Sequence, residues 1–348
     1  LEEDGVAWPE MLVRRDLTLE ANDRLSEVGG RVAEMFEVLD APNAPEVYAT
    51  KALCSRPWRC DYFDHCMAAK PDDWAGLLYR IHSNRLAALH SQGIESIPDI
   101  PEDFQLPEKQ AIALDCIASG EIWVSDDLKD AILRFGPPAY YMDFETTAPG
   151  IPIYVDTRPY ETVPFQFSVH YMNDDGALSH TAYLAEGDRH PGREFAEELI
   201  KAMDRTDIPV VVYNQSFELG VLDALRQMFP DLADGIGAIM ENVVDLLPLV
   251  RDHVCHPGFI TKRSLNAGTY SIKNVLPALV PSMSYANLEG VAEGGEASRV
   301  FAAIAHGAYT GREADDYRQQ LLDYCEQDTL AMVEIQRTLE SLCAPTKT

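Results

Sequence analysis

The sequence predicts an α/β fold: a mixed sheet flanked by helices, preceded by a small helical, cysteine-containing N-terminal region. Three observations lead there. After the FGPP segment, AYYMDF, the alternating VPFQFSVHYM and then LSHTAYLA follow one another, with a two-Asp-and-Gly turn at 174–176 before the last, the pattern of a strand and a hairpin. Beyond them a helix at 193–203, the buried-type strand PVVVYN, a helix at 217–228, the short run ENVVDLL and C-terminal helices reaching about Leu342 succeed one another. Strands paired antiparallel first and then separated by helices imply a sheet with both antiparallel and parallel neighbours. Before residue 136, by contrast, only short helical patterns occur.

Those patterns begin at 17–39, where Leu25, Val28, Val32, Met35, Phe36 and Leu39 recur at helical spacing, interrupted by Gly29 and Gly30 and stopped by APNAP. A second amphipathic helix is expected over 73–92, then the Pro-punctuated turn GIESIPDIPEDFQLP, then a third helix over 109–118. The chain therefore divides into 1–66 with a cysteine cluster, a helical connector over 67–136, and the mixed-sheet domain over 137–348.

Charge narrows the classes of function. Among 348 residues, 28 Lys and Arg stand against 57 Asp and Glu, a net of −29, which excludes a wholly basic nucleic-acid coat. The excess is spread over both halves of the chain, and 4 Trp, 15 Tyr and 12 Phe supply packing that a disordered chain lacks. No apolar run is long enough for a membrane span and LEEDGVAWPE has no signal-peptide character, so a cytoplasmic protein without a membrane partner is expected. A chain that starts at Leu1 is expected to lack something upstream.

The chemistry is carried by carboxylates. Asp143-Phe144-Glu145 ends the first strand of the sheet domain, and strand alternation puts both acids on one face. Adjacent anions repel unless a cation neutralises them, and hard oxygen ligands suit Mg²⁺ or Mn²⁺; the plain alternative is a solvated strand end. Near the C-terminus Tyr324 and Asp328 stand four apart and share a helix face, so a phenol can hold an attacking water beside a metal-ligating carboxylate, or the two form a surface pair. Between them Glu218 opens the helix after YNQSF, where an acid also favours the helix dipole.

Taken in order, D-x-E on a strand, an acid opening a helix after N-x-x-F, and Y-x-x-x-D on a late helix resemble the motifs of the DEDD exonuclease superfamily, Tyr subclass, over roughly 139–342. The departure is Glu218, where the superfamily carries Asp; Asp223 is a nearby substitute. The stretches MDFETTAPGIPIY, TRPYETVPFQFSVHY, YNQSFE, SIKNVLPALVPSMSY and LLDYCEQDTLAMV also look like an uncharacterised bacterial family of unknown function expected to be DEDD-type nucleases, a likeness that extends to the cysteine segment. The resemblance implies an RNase H-like mixed five-stranded sheet flanked by helices. It implies that Asp143 bridges two Mg²⁺ or Mn²⁺ ions, Glu145 and Asp328 complete the first site, Glu218 holds the second through water, and Tyr324 orients the attacking water. The implied activity is 3′–5′ exonucleolytic release of nucleoside 5′-monophosphates from the 3′ end of single-stranded DNA or RNA. Phe144, Thr146 and Phe217 are candidates to contact the terminal nucleotide, Phe217 being equally a core candidate.

Local composition offers a route for a polyanion. Residues 253–288 contain no acid in 36 positions where about six are expected. Lys262, Arg263 and Lys273 lie inside this window and Arg251 at its edge, with Phe259 and Tyr270 interleaved, which fits either a single-strand channel or an exposed loop followed by a helix. The likeness to the uncharacterised family favours a substrate role for Lys273.

Seven cysteines are present, three of them crowded as Cys54, Cys60 and Cys66, which in a cytosolic chain points to metal before disulfides. Iron–sulfur, zinc and free thiols remain open, with His65, Cys116 or an upstream cysteine as fourth ligand. The segment resembles the C-terminal cysteine tail of iron–sulfur RecB-like nucleases of the PD-(D/E)XK class, although its first spacing is longer than theirs. That resemblance implies a [4Fe–4S] cluster in the intact protein and makes 1–66 the remnant of such a domain. The alternatives to an exonuclease are therefore a nucleic-acid-binding module with impaired catalysis, and the accessory half of a two-nuclease protein.

Overall fold

The computed structural model describes residues 12–43, 54, 58–262, 265, 268–283 and 294–343. The chain forms two compact units, Glu2–Lys70 and Pro71–Thr348. In the first, helix α1 spans Thr18–Asp40, Gly29 and Gly30 included, and its apolar stripe of Leu25, Val28, Val32, Met35, Phe36 and Leu39 is exposed. Helix α2 covers Phe63–Ala68, with Phe63 and Met67 buried.

The second unit begins with short pieces. The helix expected over 73–92 is broken: a 3₁₀ turn at Ala75–Leu77 precedes helix α3 at Ser83–Ser91. The break falls where Arg80 takes a left-handed φ of 52° and where Trp74 pairs with Ser96 instead of continuing a helix. His82 restarts the helix, its side chain accepting from the Asn84 N–H at 3.3 Å. Helix α4 runs Glu108–Ser119 and ends on Gly120 in the left-handed conformation that only glycine adopts without cost. Strand β1 (Trp123–Val124) and helix α5 (Leu128–Ala131) lead to the main sheet. The residues read from sequence as a connector, from Pro71 onward, thus lie within the same unit as the sheet.

Strands β2 (Ala139–Thr147), β3 (Val163–Met172) and β4 (Leu178–Leu184) form an antiparallel meander. Helix α6 (Gly192–Ala202) crosses to β5 (Val210–Val212), and helices α7 (Ser216–Met228) and α8 (Ala233–Glu241) lead to β6 (Val243–Asp245). β5 and β6 are parallel to β2, giving a five-stranded mixed sheet of order β4-β3-β2-β5-β6, consistent with an RNase H-like arrangement. Helix α9 (Leu246–His253), strand β7 (Val254–Cys255, paired with β1), helix α10 (Ile272–Leu279), helix α11 (Gly294–Ala305) and the 31-residue α12 (Arg312–Leu342) complete it.

Alternation along the strands builds two cores. Tyr140, Met142 and Phe144 of β2 and Phe167 and Val169 of β3 face one side, packed with Phe195, Leu199, Leu222 and Ile236 of α6–α8. Phe165, set out of that alternation by the register shift opposite Glu145 and Thr146, instead stacks on Phe301 of α11 with ring centroids 4.0 Å apart, beside Leu321 and Tyr324 of α12. Gln166 Nε2 donates to the Leu321 carbonyl at 2.7 Å and Tyr141 donates to Gln336 at 2.9 Å, bonds that set the register of α12 on the sheet. No helix among the described residues is long and apolar enough to cross a membrane.

Candidate metal centre

The face of β2 that carries Asp143 and Glu145 looks onto α12. One carboxylate oxygen from each of Asp143, Glu145 and Asp328 lies within 4.8 Å of the others, so a strand pair and a helical residue far apart in sequence form one anionic group. Cys325, a turn before Asp328 on the buried side of α12, places its thiol 3.7 Å from Asp143 Oδ2. Tyr324 is buried on the same helix, and Lys273 of α10 sets its ammonium 5.4 Å from the centre of the Tyr324 ring. Helix α11 starts against Glu145: a Cβ on Gly294 would stand 3.5 Å from Oε2, placing the positive end of the helix dipole at this carboxylate.

Glu218 stands outside the trio but adds to the same field. It is 2% exposed, and its Oε2 is a buried oxygen without a hydrogen-bond partner. The turn that delivers it is built by Asp245 at the end of β6. That carboxylate accepts from the backbone N–H of Asn214 at 2.9 Å, Gln215 at 3.1 Å and Leu247 at 3.0 Å. Asn214 meanwhile holds a left-handed φ of 77°, which Asn tolerates better than other side chains. Asp245 was not singled out in sequence, because a lone Asp ending a short strand carries no local signal. Asp245→Ala should lower unfolding stability by about 2–3 kcal/mol, seen as a shifted urea midpoint at unchanged slope, because three backbone donors lose their acceptor. Asp245→Asn, which keeps one acceptor oxygen, should cost less.

The electrostatics follow from burying so many acids together. Asp143 is pushed well above the usual carboxylate range by burial and then by Asp328, Glu145 and Glu218. Burial and Asp328 lift Glu145 to about 8, with Lys273 pulling the other way, and burial lifts Glu218 to about 7 with Asp245 adding to it. The Tyr324 phenol is raised by burial and by the same carboxylates, so it keeps its proton at neutral pH. A clustered, all-oxygen donor set with one orphaned buried oxygen nearby fits hard divalent cations, which would offset the repulsion and satisfy Glu218.

The remaining sequence candidates are placed differently. Phe144, expected to contact the terminal nucleotide, is 3% exposed and packs edge-on against Phe195 on the opposite face of β2, because the alternation that unites Asp143 and Glu145 turns the residue between them away. Thr146 is half-buried beside a register shift between Glu145 and Thr146, and Phe217 is 42% exposed at the start of α7. Arg251 is held two-pronged by its neighbour Asp252, which Lys109 also binds, and Lys262 pairs with Asp72 at 3.1 Å. The acid-free stretch of sequence is therefore not free of acids in space, and among its described cations Lys273 is the one whose charge acts on Glu145. Arg263 lies outside the described residues.

In the first unit Cys54 is buried and Cys60 and Cys66 are half-buried, with the Cys60 N–H donating to the Cys54 carbonyl at 2.9 Å. Among the described residues these sulfurs are not one of the groups whose ligand atoms gather within 4.8 Å. Cys116, in the second unit, is buried with its thiol donating to the carbonyls of Glu121 and Cys255.

Sheet order and the carboxylate trio together describe an α/β protein with an acidic cluster on its central strand, Asp143 lying in the middle of β2 rather than at its end as the sequence suggests. Residues 140–264 match a family described as a domain of unknown function, DUF2779. The match includes Asp143, Glu145 and Glu218 and stops short of Lys273, Tyr324 and Asp328. No curated protein and no solved structure matches the chain.

Proposed function

We propose that this protein is a divalent-metal-dependent 3′–5′ exonuclease acting on single-stranded DNA or RNA. The observation that carries the reading is the convergence of Asp143 and Glu145 from β2 with Asp328 from α12, in the chain order and on the element types of the DEDD motifs. Asp143, Glu145 and Asp328, with Glu218 beside them, would hold two Mg²⁺ or Mn²⁺ ions, which when bound polarise the scissile phosphate and stabilise its developing charge. Tyr324, kept protonated by its surroundings, would orient the attacking water. Water oxygen attacks the phosphorus of the terminal nucleotide, the bond from phosphorus to the preceding 3′ oxygen breaks, and that oxygen leaves with a proton. The products are a nucleoside 5′-monophosphate and a strand one nucleotide shorter. Lys273 supplies positive charge where the phosphate must sit, and exposed Phe217 supplies a ring at the rim.

The net charge of −29 restricts the mode of binding: affinity should be weak without metal and confined to the face around Lys273. Digestion of labelled DNA and RNA with recessed 3′, recessed 5′ and blunt ends, with and without Mn²⁺, tests the reading. Stepwise loss from 3′ ends that requires metal supports it, and an undigested panel refutes it. Glu218, in place of the expected Asp, favours a second reading as a binding module with impaired catalysis; tight, metal-independent binding without product would support that one. A [4Fe–4S] cluster on Cys54, Cys60 and Cys66, closed by a fourth ligand, is proposed, and a cytoplasmic site of action with it.

A further inference from the structure

A second ligand group lies on the same face of the sheet, one strand outward from Asp143. His170 of β3 and His180 of β4 are cross-strand partners with ring centroids 4.5 Å apart, and Glu326 of α12 sits over them. One ring nitrogen from each histidine and one Glu326 oxygen lie within 4.8 Å of one another.

The hydroxyls beneath decide which nitrogens carry lone pairs. Thr329 Oγ1 lies 3.0 Å from the Glu326 carbonyl and 3.5 Å from the Cys325 carbonyl, both of which can only accept, so the threonine hydroxyl donates to this pair. Its oxygen must then accept in its other two bonds, from Ser168 Oγ at 2.7 Å and from Nδ1–H of His170 at 2.8 Å. Ser168, having donated its only proton, accepts from Nε2–H of His180 at 2.9 Å. One chain of bonds thus assigns both tautomers. The lone pairs fall on Nε2 of His170 and Nδ1 of His180, and the latter nitrogen is 3.7 Å from Glu326 Oε1. Two imidazole lone pairs and a carboxylate, each histidine braced through its other nitrogen, are the donor set and outer-shell support of a His₂-carboxylate metal site.

We infer that His170, His180 and Glu326 form a site for an imidazole-preferring divalent transition metal, with Zn²⁺ the chosen probe, separate from the carboxylate centre. Nitrogen donors separate it from the all-oxygen centre, because Mg²⁺ favours oxygen ligands whereas Zn²⁺ accepts imidazole readily. Glu326 and His180 are partly open to solvent, leaving room for water as a further ligand. The site ties edge strand β4 and its neighbour β3 to α12 two residues before Asp328, so its occupancy would hold that helix in register over the carboxylates. It does not depend on the nuclease reading.

Zn²⁺ bound per full chain, measured by metal analysis after equilibrium dialysis, tests it in wild type, His180→Ala and Glu326→Gln. Both substitutions are at partly exposed side chains, and the difference between chains cancels any Zn²⁺ taken by cysteines or by the carboxylates. Wild type should retain one more equivalent than either variant, and the Co²⁺ equivalent lost in His180→Ala should lack sulfur-to-metal charge-transfer absorption. Saturating Mg²⁺ should leave the difference intact. Equal Zn²⁺ content in all three chains, or removal of the difference by Mg²⁺, would overturn the assignment.

Discussion

Asp143→Asn should reduce metal-dependent hydrolysis by about a thousandfold or more while leaving the fold intact. Asp143 feels Glu218 as well as Asp328 and Glu145, so it links the two groups of ligands that the proposed mechanism requires. The amide is isosteric, keeps an acceptor oxygen toward the Cys325 thiol and removes a charge that is costly to bury in this pocket. The matching result for Asp328→Asn should be of similar size, and because the two act on one bound-metal cluster the double variant should be little worse than either single one. Turnover is read as initial rate at saturating Mn²⁺. A variant within tenfold of wild type at either position would remove the trio from the chemistry.

The second large effect concerns stability rather than rate. Glu145 rises from an ordinary 4.5 to about 8 in the folded chain, and Asp143 also moves up. An acid with a raised folded pKa gives stability that is fully present below its unfolded pKa and is lost as pH rises, because the native state then binds a proton the unfolded state has released. Metal-free protein should therefore lose stability between about pH 4.5 and pH 8, by about 1.4 kcal/mol per pH unit for each such proton. Divalent metal binds the ionised form, so it should reverse the trend at pH 8 and add about 2.7 kcal/mol at a hundredfold excess over its dissociation constant. Glu145→Gln should raise the stability of the metal-free chain at pH 8 and weaken its response to Mn²⁺. Chemical denaturation at pH 5 and pH 8, with chelator and with Mn²⁺, reads all of these, and a flat metal-free profile would contradict the burial of repelling acids.

Much of the fold was legible because local pattern and global arrangement agree. β3 falls on the alternating stretch, β2 and β5 on apolar runs, β4 after the predicted turn, β6 within the ENVVDLL run, and the long C-terminal helix where late helices are expected. The helix expected over 73–92 failed because its break depends on Trp74 pairing with Ser96 and on the left-handed Arg80, neither of which leaves a mark on apolar spacing. The same alternation that identified Asp143 and Glu145 as a pair also excludes Phe144 from their pocket, an inference available from sequence alone.

Cations were harder to read. Arg251 has its partner next door in Asp252, but Lys262 is met by Asp72, which folding alone brings near. Asp245 acts through backbone N–H groups of a turn 30 or more residues earlier, and no motif announces that. The histidines are a different case. With the turn centred on Asp175, His170 and His180 are equidistant from it, so hairpin register pairs them; only the hydroxyls below and Glu326 above required the three-dimensional fold.

The most direct measurement is hydrolysis of a 5′-labelled single-stranded oligonucleotide by wild type, Asp143→Asn and Asp328→Asn in Mn²⁺ and in chelator. The proposed function requires a ladder shortening from the 3′ end, with nucleoside 5′-monophosphates as the released product, in wild type with metal alone. Intact substrate with wild type and Mn²⁺, or an undiminished ladder with either variant, would contradict it.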